Sequence, residues 1–185
     1  KEVEDIIREI RKLLEDHERK VKELIDEIRR LLEEHERTVR DLNRRIKKLL
    51  EEAKEFADRK GPTEEADKLI KELTERLKKS LEDLKRHSDE LKKTLEEILE
   101  RVREDSERLE KRLREIEDKI RRDGVPKEMI DRVRKVVEEV KKRSRETLER
   151  IRKVIEEVKA RSKELIESHE EVIKRVEETL KRLKD

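Results

Sequence analysis

The sequence contains no cysteine, so histidine and serine side chains are the candidates for nucleophilic chemistry or metal binding. The four histidines are His17, His35, His87 and His169. Combined with serine they could form a nucleophilic site, and by themselves they could bind a metal ion. A neutral imidazole also offers one hydrogen-bond donor and one acceptor, which buried hydroxyl groups can satisfy without any reaction. The positions of these residues distinguish the three uses.

These positions argue against catalysis and metal binding. His17, His35 and His169 fall in separate layers or on opposite sides of the predicted core, and no Asp or Glu falls inside the apolar arc beside them to orient a triad. His35 and His87 fall at similar heights and could hold a metal ion between them, but no further ligand is evident. We therefore predict no catalytic residue, no metal site and no cofactor.

Composition narrows the class of protein. Charged residues make up 58% of the 185 residues and aromatic residues only 1%, which is typical either of disorder or of long exposed helices. The 55 basic and 53 acidic residues are interleaved along the whole chain, so we expect no nucleic-acid partner. No apolar run approaches the roughly 20 residues that cross a bilayer, and residues 1–4 lack the apolar region of a signal peptide. We expect a soluble chain with no membrane partner and no targeting signal.

The helix-breaking residues are confined to two places, Gly61-Pro62 and Gly124 with Pro126. Glycine commonly ends a helix and proline commonly opens one, so each place predicts a turn between two helices. Thr63 is suited to cap the second helix through its hydroxyl group. The predicted helices cover residues 2–60, 63–122 and 126–184.

The similar lengths of these helices and their short connections predict the fold. Short turns force neighbouring helices to be antiparallel, and three matched helices can enclose one apolar core. We therefore predict an all-α, antiparallel up-down-up three-helix bundle that forms a single domain over residues 1–185. Exposed pairs such as Glu139 with Arg143, four residues apart, favour the helix without specifying its partner.

An 18-residue repeat runs through the three helices. Residues 10–19 return almost unchanged at 28–37, and residues 134–140 return at 152–158. Eighteen residues make five turns at about 3.6 residues per turn, so the apolar stripe does not drift around the helix. The repeat predicts long, nearly straight helices.

Nine polar residues interrupt the apolar arcs at matched heights. Residues at the same height on antiparallel helices have numbers with a constant sum, and those on parallel helices have numbers with a constant difference. Of the three layers named at the end of this paragraph, the first two obey both rules. In the last repeat Ala53, Ile70 and Leu180 take these positions, so all three become apolar together. His87 and Thr38 fall at the rim and could extend the second layer. The three predicted layers are His17 with Ser106 and Ser144, His35 with Ser88 and Ser162, and Asn43 with Ser80 and His169.

The near-literal repeat, the Gly and Pro turns, the mixed Glu/Lys/Arg surface and the Leu/Ile/Val core resemble those of de novo designed, parametrically built helical bundles with buried hydrogen-bond networks. The resemblance covers the whole chain. It implies that the polar layers fix helix register, and that the chain is a structural scaffold with no natural biochemical activity.

Other functions remain open at this point. The buried histidines are also compatible with a designed switch or binding module that responds to pH or exchanges a helix partner. Natural spectrin-like rods are disfavoured by the missing core aromatics and by the literal repeat. We expect a monomer that requires no partner, with self-association through swapped helices as the alternative.

Overall fold

The computed structural model describes residues 2–61 and 63–184, and of Lys60 and Lys184 the backbone alone. The predicted turn residue Pro62 lies outside the described residues. The all-α three-helix class is confirmed, and the second and third helices begin one residue later than predicted. The helices are α1, Glu2–Lys60; α2, Glu64–Arg122; and α3, Lys127–Lys184.

Both turns depend on a glycine in the left-handed backbone region. Gly61 has φ of 69° and Gly124 has φ of 65°, a region that costs other residues free energy because of their β-carbon. At the end of α2, the amide of Gly124 donates to the carbonyl of Arg121 and the amide of Val125 donates to the carbonyl of Ile120, each at 3.4 Å. This pattern is the Schellman motif, and it satisfies carbonyls that the end of a helix otherwise leaves unpaired.

Side-chain and proline chemistry open the second and third helices. The hydroxyl group of Thr63 accepts a hydrogen bond from the amide of Ala66 at 3.2 Å, as expected for a capping residue. The carbonyl of Pro126 accepts the amides of Met129 and Ile130, at 3.0 and 3.1 Å, and so begins the hydrogen-bond ladder of α3. The signals read from the sequence therefore act through specific backbone hydrogen bonds.

The three helices pass through two compact units. The first unit contains the residues up to Arg29 together with Thr94–Glu157, and the second contains Arg30–Lys93 together with the residues from Val158 onward. Each unit takes one segment from each helix. The expectation of a single domain stays a prediction.

In the first unit, α1 and α2 run antiparallel. Arg112 pairs with Glu9 at 2.9 Å and Asp105 contacts His17 at 2.6 Å, so residue numbers rise along α2 as they fall along α1. Burial of such aliphatic side chains supplies about 1.5–3 kcal/mol each. The core of this unit includes Ile10, Leu14, Leu113, Ile120, Val133, Val137 and Val140.

In the second unit, α1 and α3 run parallel. Glu36 pairs with Arg161 at 3.2 Å and Asn43 contacts His169 at 2.7 Å, so residue numbers rise together along the two helices. With the antiparallel α2 between them in the chain, this gives the up-down-up order. The core of this unit includes Ile46, Ala53, Ile70, Leu77, Ile173 and Leu180, with a smaller cluster of Val39, Leu84 and Leu165.

Interhelical ion pairs follow the same repeat. Arg143 contacts Glu18 of α1 at 2.9 Å rather than the Glu139 expected from its own helix. The pair one repeat later is Arg161 with Glu36. Such exposed pairs contribute less than about 1 kcal/mol each, so they accompany the register rather than determine it. None of the described helices is long and apolar enough to cross a membrane.

Replacing Gly124 by alanine should destabilise the protein by about 1 kcal/mol, because the new β-carbon would disfavour the left-handed φ. That β-carbon would meet no other atom within 4 Å, so the loss reports backbone strain alone. Denaturant unfolding measures it, and Gly124→Asn is the control, with a smaller loss because asparagine tolerates this region. Equal stability of Gly124→Ala and the parent would contradict the role given to the turn.

Candidate functional site

The His17 network consists of His17, Asp105 and Ser106 in the first unit. Nδ1 of His17 lies 2.6 Å from Oδ2 of Asp105, and its Nε2 lies 3.4 Å from Oγ of Ser106. A carboxylate only accepts hydrogen bonds, so Nδ1–H of His17 donates to Asp105, and the Ser106 hydroxyl forms the hydrogen bond at Nε2. Lys20 and Arg108 also approach the carboxylate, at 3.5 and 3.6 Å.

The expectation that no Asp or Glu inside the apolar arc orients a histidine missed the carboxylate that contacts His17 from outside the arc. Asp105 lies at the flank of the apolar arc, and its side chain, 19% exposed, reaches the ring. Asp105, His17 and Ser106 follow the order of groups in a hydrolase triad. Ser106 lies within α2, however, where the backbone amides are committed to helical hydrogen bonds and cannot form an oxyanion hole. The arrangement gives each ring nitrogen of the buried His17 a hydrogen-bond partner.

Asp105 could have been found from the repeat. It precedes Ser106 as His87 precedes Ser88, one 18-residue repeat apart in α2. The residue before the serine therefore contacts the histidine of α1 in both networks. The apolar arc did not reveal it, because a polar side chain at the flank of the arc can still reach a polar partner inside it.

Ser144, the third member predicted for this layer, is buried with 2% of its surface exposed. Within residues 2–61 and 63–184, no hydrogen bond joins its hydroxyl to His17 or Ser106. The structure thus brings two of the three predicted side chains together and adds Asp105, while Ser144 contributes its small volume to the same core.

The His35 network consists of His35, His87, Ser88 and Ser162 in the second unit. Nδ1 of His35 lies 3.0 Å from Nδ1 of His87, and Nε2 of His35 lies 3.2 Å from Oγ of Ser162. Oγ of Ser162 lies 2.8 Å from Oγ of Ser88. All three helices therefore contribute to one chain of hydrogen bonds, and His35 and Ser162 are fully buried.

The imidazole rings of His35 and His87 meet edge to edge through their Nδ1 atoms. Their planes are parallel within 1° and their centroids are 5.2 Å apart, which is close to the nitrogen–nitrogen distance plus two ring radii. A single proton can occupy the space between the two Nδ1 atoms. His87 therefore extends the layer as predicted from its rim position. Thr38 does not, because its hydroxyl donates to the carbonyl of Glu34 in its own helix at 2.9 Å.

The His169 network consists of Asn43, Ser80 and His169, also in the second unit. Nδ1 of His169 lies 2.7 Å from Oδ1 of Asn43, and its Nε2 lies 3.0 Å from Oγ of Ser80. The amide oxygen can only accept, so Nδ1 carries the proton and the Ser80 hydroxyl donates to Nε2. His169 is fully buried, whereas Asn43 and Ser80 are half-buried. The three predicted members are in direct contact.

Burial lowers the pKa of two histidines, because a charged imidazole loses hydration in the core. For His35 the desolvation is reinforced by His87 and opposed by Glu36. For His169 the desolvation is opposed by Glu170. The pKa of Asp105 is also lowered: its burial acts in the opposite direction, but the hydrogen bond from His17 and the neighbouring Lys20 outweigh burial.

Metal binding needs more ligands than these networks bring together. Among the described residues, no group of three or more His, Asp or Glu is arranged to hold a metal ion. In the His35 network the two Nδ1 atoms are 3.0 Å apart along a common line, whereas a metal ion bound linearly would separate them by about 4 Å, twice a Zn–N bond. The spacing suits a shared proton.

Comparisons with known proteins support the fold. No protein-family model matches the chain, and no curated protein matches it. A solved structure described as a computationally designed three helix bundle is similar, with a TM-score of 0.64 and 20% sequence identity over 98% of this chain and 87% of that one. At this level of identity the similarity shows the fold alone, which is the three-helix bundle.

Stability should fall as the pH falls below 6.5, the ordinary histidine pKa. The unfolded chain then binds protons that folded His35 and His169 resist, so stability is full above this pH and is lost down through the folded pKa values. A second loss should follow below 3.8, where Asp105 stays ionised when folded and protonates when unfolded. Denaturant midpoints measured from pH 8 to pH 3 test both losses.

The control for this titration replaces the His169 network by the isoleucines that occupy its positions elsewhere in the repeat. The variant Asn43→Ile, Ser80→Ile, His169→Ile should lose less stability between pH 7 and pH 5 than the parent does. Midpoints that stay constant from pH 8 to pH 4 in the parent would contradict the neutral, buried histidines.

Ser162→Ala should destabilise the protein by about 1–3 kcal/mol at pH 8, because His35 and Ser88 would each lose a partner in the core. Thr147→Ala is the control: its hydroxyl donates only to the carbonyl of Arg143 in its own helix, at 2.8 Å. The stability lost in Thr147→Ala should stay within about 0.5 kcal/mol. Equal effects of the two substitutions in denaturant unfolding would show that the buried hydroxyl is not a network member.

Proposed function

We propose that this chain is a designed structural scaffold whose polar networks specify the register of its three helices, and that it has no natural biochemical activity. The proposal is supported most by one observation: the pair His17–Asp105 becomes the pair His35–His87 when each helix is shifted by one repeat. The same two repeat positions thus make a hydrogen bond between α1 and α2 in two separate networks.

The physical basis of the proposed role is the cost of an unpaired polar group in the core. An unpaired buried donor or acceptor costs about 1–3 kcal/mol, so a bundle with slipped helices would place imidazoles and hydroxyls against aliphatic side chains. Aliphatic contacts alone vary little between registers, since they are not directional. The networks would therefore penalise incorrect alignments more than they stabilise the correct one.

The proposed designed origin is supported by the sequence and by the neighbouring fold. The 18-residue repeat, the paired Gly and Pro turns and the alternating charges are typical of idealised bundles. The similar solved structure is itself described as computationally designed. For the same reason we propose that the chain acts as a monomer that needs no cofactor and no partner.

A second candidate function is a bundle that opens in acid. It is favoured by the burial of His35 and His169, with pKa values lowered from 6.5, in networks that use the neutral rings. Protonation of both rings of the His35–His87 pair would place two N–H groups against each other. A switch requires that the helices separate at mildly acidic pH rather than only lose stability, and light scattering at pH 5 distinguishes these outcomes.

The scaffold proposal is tested by making the His35 network apolar. The variant His35→Ala, Ser88→Ile, Ser162→Leu copies the positions of Ala53, Ile70 and Leu180 in the last repeat. We expect its free energy of unfolding at pH 8 to equal or exceed that of the parent, because apolar replacement of all the buried members of a network together is commonly neutral or stabilising, and the remaining member, His87, is exposed to water. We also expect more than one set of amide resonances, or oligomers by light scattering, because alternative registers would no longer be penalised.

The single substitution Ser162→Ala is the matched control, because it breaks the network without removing it and should keep the parent's single set of resonances. An apolar variant as homogeneous as the parent would overturn the proposed role, since the aliphatic core would then specify the register unaided.

A further inference from the structure

A small apolar crevice lies beside the His169 network in the second unit. Its volume is about 130 Å³, and it lies between α1 and α2 with a contribution from α3. Apart from Ser80, Arg45 and Arg76, the residues that line it are aliphatic. The aliphatic wall includes Leu42, Ile46, Leu49, Leu73, Leu77 and Val176.

The size of the crevice suits a single six-membered ring. Cavities of about 150 Å³ lined by Leu, Ile and Phe stay dry and bind benzene. The wall here is formed by the same kind of side chain, and Ile46, Leu73, Leu77 and Val176 are buried members of the core. A ring bound there would pack against this apolar surface without requiring the helices to move apart.

At the crevice, the Ser80 hydroxyl can accept a hydrogen bond from a ligand but cannot donate one to it. Oδ1 of Asn43 fixes the proton of His169 on Nδ1, so Nε2 must accept the proton of the Ser80 hydroxyl. The Ser80 oxygen then has lone pairs but no proton to offer to a ligand. The crevice therefore favours a ligand that donates a hydrogen bond over one that only accepts.

The rim of the crevice is cationic. Arg45 and Arg76 line it from α1 and α2, and both residues are exposed. A guanidinium group over an electron-rich aromatic ring is attracted to the face of that ring. Aliphatic alcohols would lack this contact.

We propose that this crevice is a binding site for small phenols, with the ring against the leucines and the phenolic hydroxyl donating to Oγ of Ser80. Phenol has seven heavy atoms, and a ligand of this size in an apolar site reaches a Kd of about 1 mM. The site is independent of the scaffold proposal, because it requires only the aliphatic wall and the direction of the His169 network.

The test measures phenol and toluene binding at pH 8 by amide chemical shifts. The two molecules have the same shape, and toluene lacks the hydroxyl group. Both should shift residues of the wall, and phenol should also shift the Nε2 resonance of His169, because accepting a hydrogen bond makes the Ser80 hydroxyl a stronger donor. Phenol that leaves His169 Nε2 unchanged while shifting the wall would overturn the proposed contact.

Two variants separate the wall from the hydrogen bond. Leu49→Phe should fill the crevice and weaken both ligands at least tenfold, whereas Leu13→Phe, at the equivalent position two repeats earlier, should leave both unchanged. Ser80→Ala should weaken phenol about 3- to 10-fold and leave toluene within about twofold, as expected for one neutral hydrogen bond. Circular dichroism confirms that each variant is folded.

Three results would overturn the proposal. The first is the absence of phenol binding at 20 mM, about twenty times the expected Kd. The second is binding that Leu49→Phe leaves intact, which would place the ligand elsewhere. The third is an equal effect of Ser80→Ala on phenol and toluene, and should that variant fail to fold, the His169 Nε2 shift in the parent decides the same point.

Discussion

The structure depends on the requirement that a buried imidazole find a partner for each ring nitrogen, and α1 cannot supply these partners itself. His35 is fully buried, and its two nitrogens meet His87 of α2 and Ser162 of α3. A partner on a different helix fixes the relative height of the two helices to within a hydrogen-bond length. Aliphatic side chains set no such limit, because their attraction depends on area rather than direction. In the proposed role, the few polar residues select the alignment that the many aliphatic residues stabilise.

The repeat determines how polar and apolar layers can alternate without changing the backbone. The positions of His35, Ser88 and Ser162 are taken by Ala53, Ile70 and Leu180 in the last repeat, and the latter three are buried in the core of the second unit. A backbone that returns to the same orientation every five turns can accept either kind of layer at the same position. The number of polar layers can thus change while the backbone fold stays the same.

Much of the fold and part of the site could be predicted from sequence, for identifiable reasons. Gly124 and Pro126 act through backbone conformation, which local sequence determines, so the helix boundaries were nearly right. The contacts of His169 followed from position in the repeat. Asp105 was missed because a helical wheel places the β-carbon and not the carboxylate, which here reaches from the flank of the apolar arc to His17. The pattern likewise does not show which hydroxyl groups bond across helices: within the described residues, Ser144 is buried without a hydrogen bond to His17.

The two networks of the second unit differ in whether their proton order is fixed. Asn43 has an oxygen that only accepts, so His169 and then Ser80 must each donate in one direction. The His35 network has no such end group, since either ring can donate across the 3.0 Å between the Nδ1 atoms, and the serines can turn their hydroxyls to follow. The His169 network therefore presents a constant acceptor at the half-buried Ser80, whereas the His35 network can reverse its proton order without moving a helix. His35 and His169 are equally buried, yet the direction of hydrogen bonding is fixed in the His169 network and reversible in the His35 network.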